Sequence, residues 1–427
     1  MQAAAERTSM FTITESERVY LRDLAKKYRD YAALPVMAER EKRWYAHNSL
    51  SAGSPMIVME VGSFAADFLP ALRCESPEAA RIERKLIEPI LNHELIDDDK
   101  VISPWLAIDE ADISFKEFDL NISRSRVKDA RGLELGYHDE SPITDLIRDF
   151  HILKPSVFSV NREMAAQRMA FAEDVLGDIL PLRRTNRILD WYLGISAKCI
   201  RLMGMERYCM ALIDTPDAVR DLYRFLRDDA RRFIRWLEYE GLLTLNNGNQ
   251  YAGAGSYGFT DELPKDDVSA GVKLSDLWVN MNSQETISVS PSMYADLIFP
   301  TYRELAAECG LVYYGCCEPV HTIWDDCLSK LPNLRKVSIS AWCNENFMGE
   351  RLRGSRIIYS RKPDPTLIGV GAFDEARYRE HMAKTLTAAK GGTLEVVFRD
   401  VYSISGEKSR PGKAVRILRE LIEKHWR

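Results

Sequence analysis

Cys316, Cys317 and Glu318 stand in a row where an apolar run stops. The run is Leu311, Val312, Tyr313, Tyr314 and Gly315, and Pro319 closes the segment. A buried strand ending on two thiols and a carboxylate can present ligands to a divalent metal, because thiolate and carboxylate both bind zinc. Cys343 follows the next strand-like run, so between parallel strands it becomes a spatial neighbour. Cys316, Cys317, Glu318 and Cys343 are the candidate metal ligands, and zinc is the expected ion. Free cysteine also packs as a small core hydrophobe, and on the residues alone that alternative stays open.

Other polar groups fall at the ends or starts of apolar runs. Asn247 follows one run. Trp278 lies in another, which leads to Gln284 and Glu285. Arg361 ends a third, and Asp400 and Tyr402 follow a fourth. If these runs are parallel strands, their ends gather at one mouth. Amides and carboxylates there can fix a polar ligand, and an arginine such as Arg361 can hold a carboxylate or phosphate. The candidate catalytic residues are Glu285, Asp400 and Tyr402. The candidate substrate contacts are Asn247, Tyr257, Trp278, Gln284 and Arg361. Any one of them alone can serve loop backbone; six such ends coinciding point to one site.

The elements that must position these groups alternate along the chain. Strand-like runs lie at 55–62, 101–108, 179–183, 243–247, 277–281, 312–315, 337–341, 357–360 and 394–398, with a weaker one at 157–160. Helical patterns separate them. The plainest covers 215–240, with Val219, Leu222, Leu226, Phe233 and Leu237 at helical spacing and Gly241 as its stop. Strands alternating with helices mean parallel strands with helical crossovers. A length of 427 residues and this strand count favour an α/β fold of the (β/α)8 TIM-barrel type. In that fold the active site lies at the C-terminal strand ends. Residues 1–50 are polar and helical. They are expected as an extension packed outside a barrel of residues 51–427.

Composition removes several functions. A net charge of −6 gives no global attraction to nucleic acid or anionic membrane. No run approaches the roughly 18 apolar residues of a membrane span. Eight cysteines lack framework spacing, and residues 1–14 lack an apolar signal region. The expectation is a cytoplasmic protein with free thiols, and a homodimer is compatible with it. Gly253, Gly255 and Gly258 match GxGxxG, but no strand leads straight into them and Pro264 stands against a helix. Residues 251–264 are read as a mobile glycine loop covering the mouth. Asp149 and His151 begin a DxHxxG pattern with Lys154 in the glycine position, so this chain is not expected to carry a corrinoid itself.

The stretches 251–264 (YAGAGSYGFTDELP), 283–291 (SQETISVSP), 314–319 (YGCCEP), 332–342 (PNLRKVSISAW) and 360–365 (SRKPDP) carry a family resemblance. Over most of its length the chain resembles the uroporphyrinogen decarboxylase superfamily, which includes zinc- and corrinoid-dependent methyltransferases. It is most similar to a uroporphyrinogen decarboxylase-like subgroup. The resemblance implies a (β/α)8 barrel and metal-assisted methyl transfer to a small molecule. Zinc would lower the pKa of an acceptor thiol, and a corrinoid protein partner would carry the methyl group. Methyltransferase members place His-x-Cys after a mid-barrel strand; here Tyr314 occupies the histidine position and Cys316 the cysteine position. Tyr402 stands where the subgroup has histidine. Residues 56–62 lack the arginine-rich signature of true decarboxylases, so porphyrinogen decarboxylation is not expected. The alternatives are a metal-free lyase or decarboxylase using Glu285, Asp400 and Arg361, or a small-ligand-binding protein on the same scaffold.

Overall fold

The computed structural model describes residues 10–109, 112–128 and 134–426. Its centre is a sheet of six strands: β1 (Met56–Met59), β2 (Trp278–Met281), β3 (Leu311–Tyr314), β4 (Leu334–Ile339), β5 (Ile358–Arg361) and β6 (Leu394–Phe398). They lie in the order β1-β6-β5-β4-β3-β2, and every pair is parallel. Strands buried on both faces read as continuous apolar runs, which is why these segments stand out in the sequence. Helices Phe299–Glu308, Glu345–Leu352 and Glu375–Ala388 lie on the crossovers, and Arg410–His425 follows β6. No described helix is long and apolar enough to cross a membrane.

Side chains alternate between the two faces of each strand. Ile57, Met59, Val396 and Phe398 join the large core shared with the helices. Met56, Val58 and Val397 point the other way and pack with Trp44 and Phe259. Lys336, Ser360 and Glu395 are buried and bond to one another or to the chain filling that inner side.

A closed eight-stranded ladder was the expectation; the regular parallel ladder has six strands. Side chains span the gap between the β1 and β2 edges. Asp99 and Asp98 carboxylates accept from the amides of Ile57 and Met59, each at 2.7 Å. Leu106–Asp109 pairs in parallel with Leu182–Thr185. Asn186 donates to the Leu242 carbonyl at 2.6 Å, and the Asn246 amide accepts from Trp278 N and donates to Trp278 O, both at 2.9 Å. Carboxylates and amides thus occupy backbone sites that a neighbouring strand would otherwise take.

Residues 157–160, a weak strand by sequence, pair antiparallel with Ile113–Lys116 away from the central sheet. The hairpin Arg124–Lys128 with Glu134–Asp139 is also separate from it. The N-terminal helix Glu15–Ala32 starts on a Thr14–Glu17 capping box and packs with Ile82, Leu86 and Val175. The next helix, Pro35–Asn48, does not stay outside. It places Trp44, His47 and Asn48, all buried, beneath the N-terminal edge of the sheet. There His47 meets Glu395 at 3.1 Å.

The glycine loop is not a lid. Ala252, Ala254, Ser256, Phe259 and Thr260 are buried. Asn48 donates to the carbonyls of Tyr257 and Phe259, and Trp278, the first residue of β2, donates to Gly258 O at 2.8 Å. The hairpin therefore fills the inner face: Phe259 packs with Trp44 below the sheet, while a Cβ on Gly255 would lie 3.8 Å from Glu60 Oε1. Its glycines serve close approach rather than mobility. A Cβ on Gly253 would lie 2.4 Å from the Tyr313 ring, and one on Gly258 would lie 1.9 Å from Asn246 O.

Candidate active site at the C-terminal mouth

Five strand ends converge here, carrying Glu60, Cys316 to Glu318, Cys343, Lys362 and Arg399 to Tyr402. Gly315 turns the chain at φ +98°, a conformation that suits glycine. The Glu318 carboxylate, buried, accepts from Ser283 N at 2.9 Å and from Cys316 N at 2.8 Å. Ser338 donates to Cys316 O at 2.7 Å. These bonds fix the thiol loop. Cys316 is buried and Cys317 is exposed. Their sulfurs lie 3.4 Å apart, and Cys317 Sγ lies 3.8 Å from Asp400 Oδ2. The hydrogen bond between the sulfurs, then burial, raises the Cys316 thiol; the same bond favours the thiolate on Cys317.

Arg399, absent from the expected site residues, is a largely buried cation of this mouth. Its side chain is 14% exposed, with Nε 3.3 Å from Glu60 Oε2 and 3.4 Å from Asp400 Oδ2. Nε and Nη1 are buried and donate no hydrogen bond of good geometry. Burial opposes its charge, while Glu60, Cys316, Tyr251 and Asp400 overcome that opposition and hold it protonated. A buried guanidinium with unfilled donors is a receptor for an anion. Lys362 lies on the same inward row as Ser360. Its ammonium donates to Tyr313 Oη at 2.5 Å and to Ser360 Oγ at 2.7 Å, and burial brings it down to about 7. The signal for Arg399 was alternation: Glu395, Val397 and Arg399 are two apart on one strand and its extension.

Asp400 and Tyr402 line a cleft of about 690 Å³ together with Asp67, Thr366, Val370 and Ser403. Both hold left-handed backbone, at φ +56° and +58°, a conformation that costs free energy in a non-glycine residue. Tyr402 is 62% exposed at the rim. Glu285 accepts from Ser196 Oγ at 2.5 Å, and Gln284 is exposed beside it.

Several expected site residues lie elsewhere. Arg361 sits between the inward Ser360 and Lys362, so it points outward. Its guanidinium bonds to the carbonyls of Ile339 and Ser340 and to Glu345. Asn247 donates to Leu263 O at 2.7 Å, bracing the glycine hairpin. Tyr257 and Trp278 belong to the N-terminal side with that hairpin. Cys343 Sγ faces His321 Nδ1 at 3.5 Å rather than the thiol pair. The expected zinc set does not fit: Glu318 is engaged by backbone amides, and among the described residues no three His, Cys, Asp or Glu side chains form a metal-holding group.

No family model matches the chain, and no curated protein matches it. Among solved structures it is similar to a methyltransferase from Methanosarcina mazei, at 10% identity and a TM-score of 0.44, over 91% of this chain and 99% of the other. A likeness at that level fixes neither fold nor activity.

Proposed function

We propose that this chain is a methyl-transferring enzyme of the uroporphyrinogen decarboxylase-like kind. In this reading the sheet and its bridged gap make a (β/α)8 barrel, with the active site in its mouth. The observation that carries it is Arg399, with unfilled buried donors, beside Asp400 and the Cys316–Cys317 pair at an open cleft. Arg399 selects and orients a small acceptor bearing a carboxylate, and Glu60 holds the guanidinium in place. Asp400 takes the acceptor's proton while the acceptor's lone pair forms the new bond to the methyl carbon. The old bond to that carbon breaks, and its electron pair leaves with the donor. A methylated corrinoid on a partner protein supplies the methyl group. Cys317 Sγ, 3.8 Å from Asp400 Oδ2, lies against that carboxylate at the cleft.

Small carboxylate-bearing thiols and amines incubated with free methylcobalamin test this, with demethylated corrinoid as the readout. At least one acceptor should drive turnover, and Asp400→Asn should slow it. No turnover with any of them sinks the reading. Lys362 favours a second reading, a metal-free lyase or decarboxylase: a buried amine with hydroxyl partners near Arg399 can return a proton to carbon.

A further inference from the structure

We propose that Cys316 and Cys317 are a modification site: a peroxide entering the mouth converts them to a reversible disulfide between neighbouring residues. Of the eight cysteines, all free, this is the one pair among the described residues with sulfurs in contact, at 3.4 Å. Cys317 is exposed and is the sulfur that a small oxidant meets first, while Cys316 waits buried behind it. The other described thiols have different neighbours. Cys343 faces His321, Cys209 lies 3.9 Å from Ser288 Oγ, and Cys309 donates to Leu305 O.

The chemistry balances with one peroxide. The Cys317 sulfur attacks a peroxide oxygen, the O–O bond breaks, and water leaves after taking up a proton. Cys317 is then a sulfenic acid. The Cys316 sulfur attacks it, the S–S bond forms, the S–O bond breaks, and the second water carries away the Cys316 proton. The two sulfurs together lose two electrons, and the peroxide gains them. Reaching a bond of about 2.05 Å needs a closure of roughly 1.4 Å. Neighbouring Cα atoms are about 3.8 Å apart, below the usual disulfide span of about 4.4–6.8 Å. The loop is also tied down by Glu318 and Ser338. The bridge is therefore strained and readily reduced, as labile regulatory disulfides are.

Peptide mass mapping of the full chain tests this, after stoichiometric hydrogen peroxide and then alkylation. The peptide holding residues 316 and 317 should lose two hydrogens and both alkylation marks, and dithiothreitol should restore them. Cys316→Ser should instead accumulate oxygen on Cys317. A native thiol count should fall by two in the unmutated chain, which keeps the test valid if that variant does not fold. Over-oxidised Cys317 with Cys316 still alkylated, or a disulfide between two chains, overturns the proposal. The readout is the mass of the protein, so the result is independent of any methyl transfer.

Discussion

Lys336→Met probes the charge network beneath the mouth. Lys336 and Glu395 are both 0% exposed, with Nζ 3.0 Å from Glu395 Oε2. The same ammonium donates to Ser256 at 2.7 Å and lies 5.4 Å from the ring centres of Trp44 and Trp278. Glu395 also accepts from Ser360 at 2.5 Å and faces His47 at 3.1 Å. Burial raises the Glu395 carboxyl, but Lys336 and His47 outweigh it and keep it ionised. Burial also keeps His47 neutral, so Lys336 is the cation that balances the charge. Removing it strands a buried carboxylate, at a cost of about 3–5 kcal/mol. Lys336→Met/Glu395→Gln leaves no stranded charge and should be more stable than the single variant by at least about 1 kcal/mol. Urea denaturation followed by circular dichroism measures both. The single variant should also regain stability as pH falls, because its stranded Glu395 then takes a proton. A cost below about 1 kcal/mol, equal in the single and double variants, refutes the reasoning.

Three further outcomes follow from the same contacts. Lys362 titrates near 7 in the folded chain and near 10.4 when unfolded. Between those values the unfolded chain binds the extra proton, so this residue makes stability rise with pH by up to about 1.4 kcal/mol per unit. The stability of Lys362→Met relative to the native chain should therefore fall by about 2–3 kcal/mol from pH 7 to pH 9; a constant difference contradicts a neutral buried amine. Gly258→Ala forces a Cβ onto Asn246 O and should cost at least about 2 kcal/mol. Gly62→Ala, with nothing within 4 Å, should stay within about 0.5 kcal/mol. In hydrogen exchange, the amides of Gly258 and Thr260, bonded to Gln250 O and Asn247 O, should stay protected with or without ligand.

What the sequence made legible follows from how each segment is stabilised. β3 to β6 are short apolar runs between helices, and their ends were read to within a few residues. The Pro216–Tyr239 helix buries the stripe from Val219 to Leu237 that its spacing implied. The gap between β1 and β2 was not legible as it is built, because Asp98, Asp99, Asn186 and Asn246 bond to backbone there through side chains instead of an apolar strand. The glycines at 253, 255 and 258 were read for flexibility, yet each permits a contact that a Cβ would block or crowd. Arg361 stands out at the end of an apolar run, whereas Arg399 is marked only by the two-residue alternation of Glu395, Val397 and Arg399. Lys336 and Glu395, charged residues inside apolar strands, carried an unread sign of an inner ion pair.

The kinetic split between Arg399→Met and Asp400→Asn tests the central claim most directly. With a carboxylate-bearing acceptor and methylcobalamin, Arg399→Met should raise KM about ten- to a hundredfold, the loss of a charge-assisted hydrogen bond of about 1.5–3 kcal/mol. Asp400→Asn should lower kcat with little change in KM. Unchanged KM in the first variant together with unchanged kcat in the second would contradict an anion held by Arg399 beside a base at Asp400.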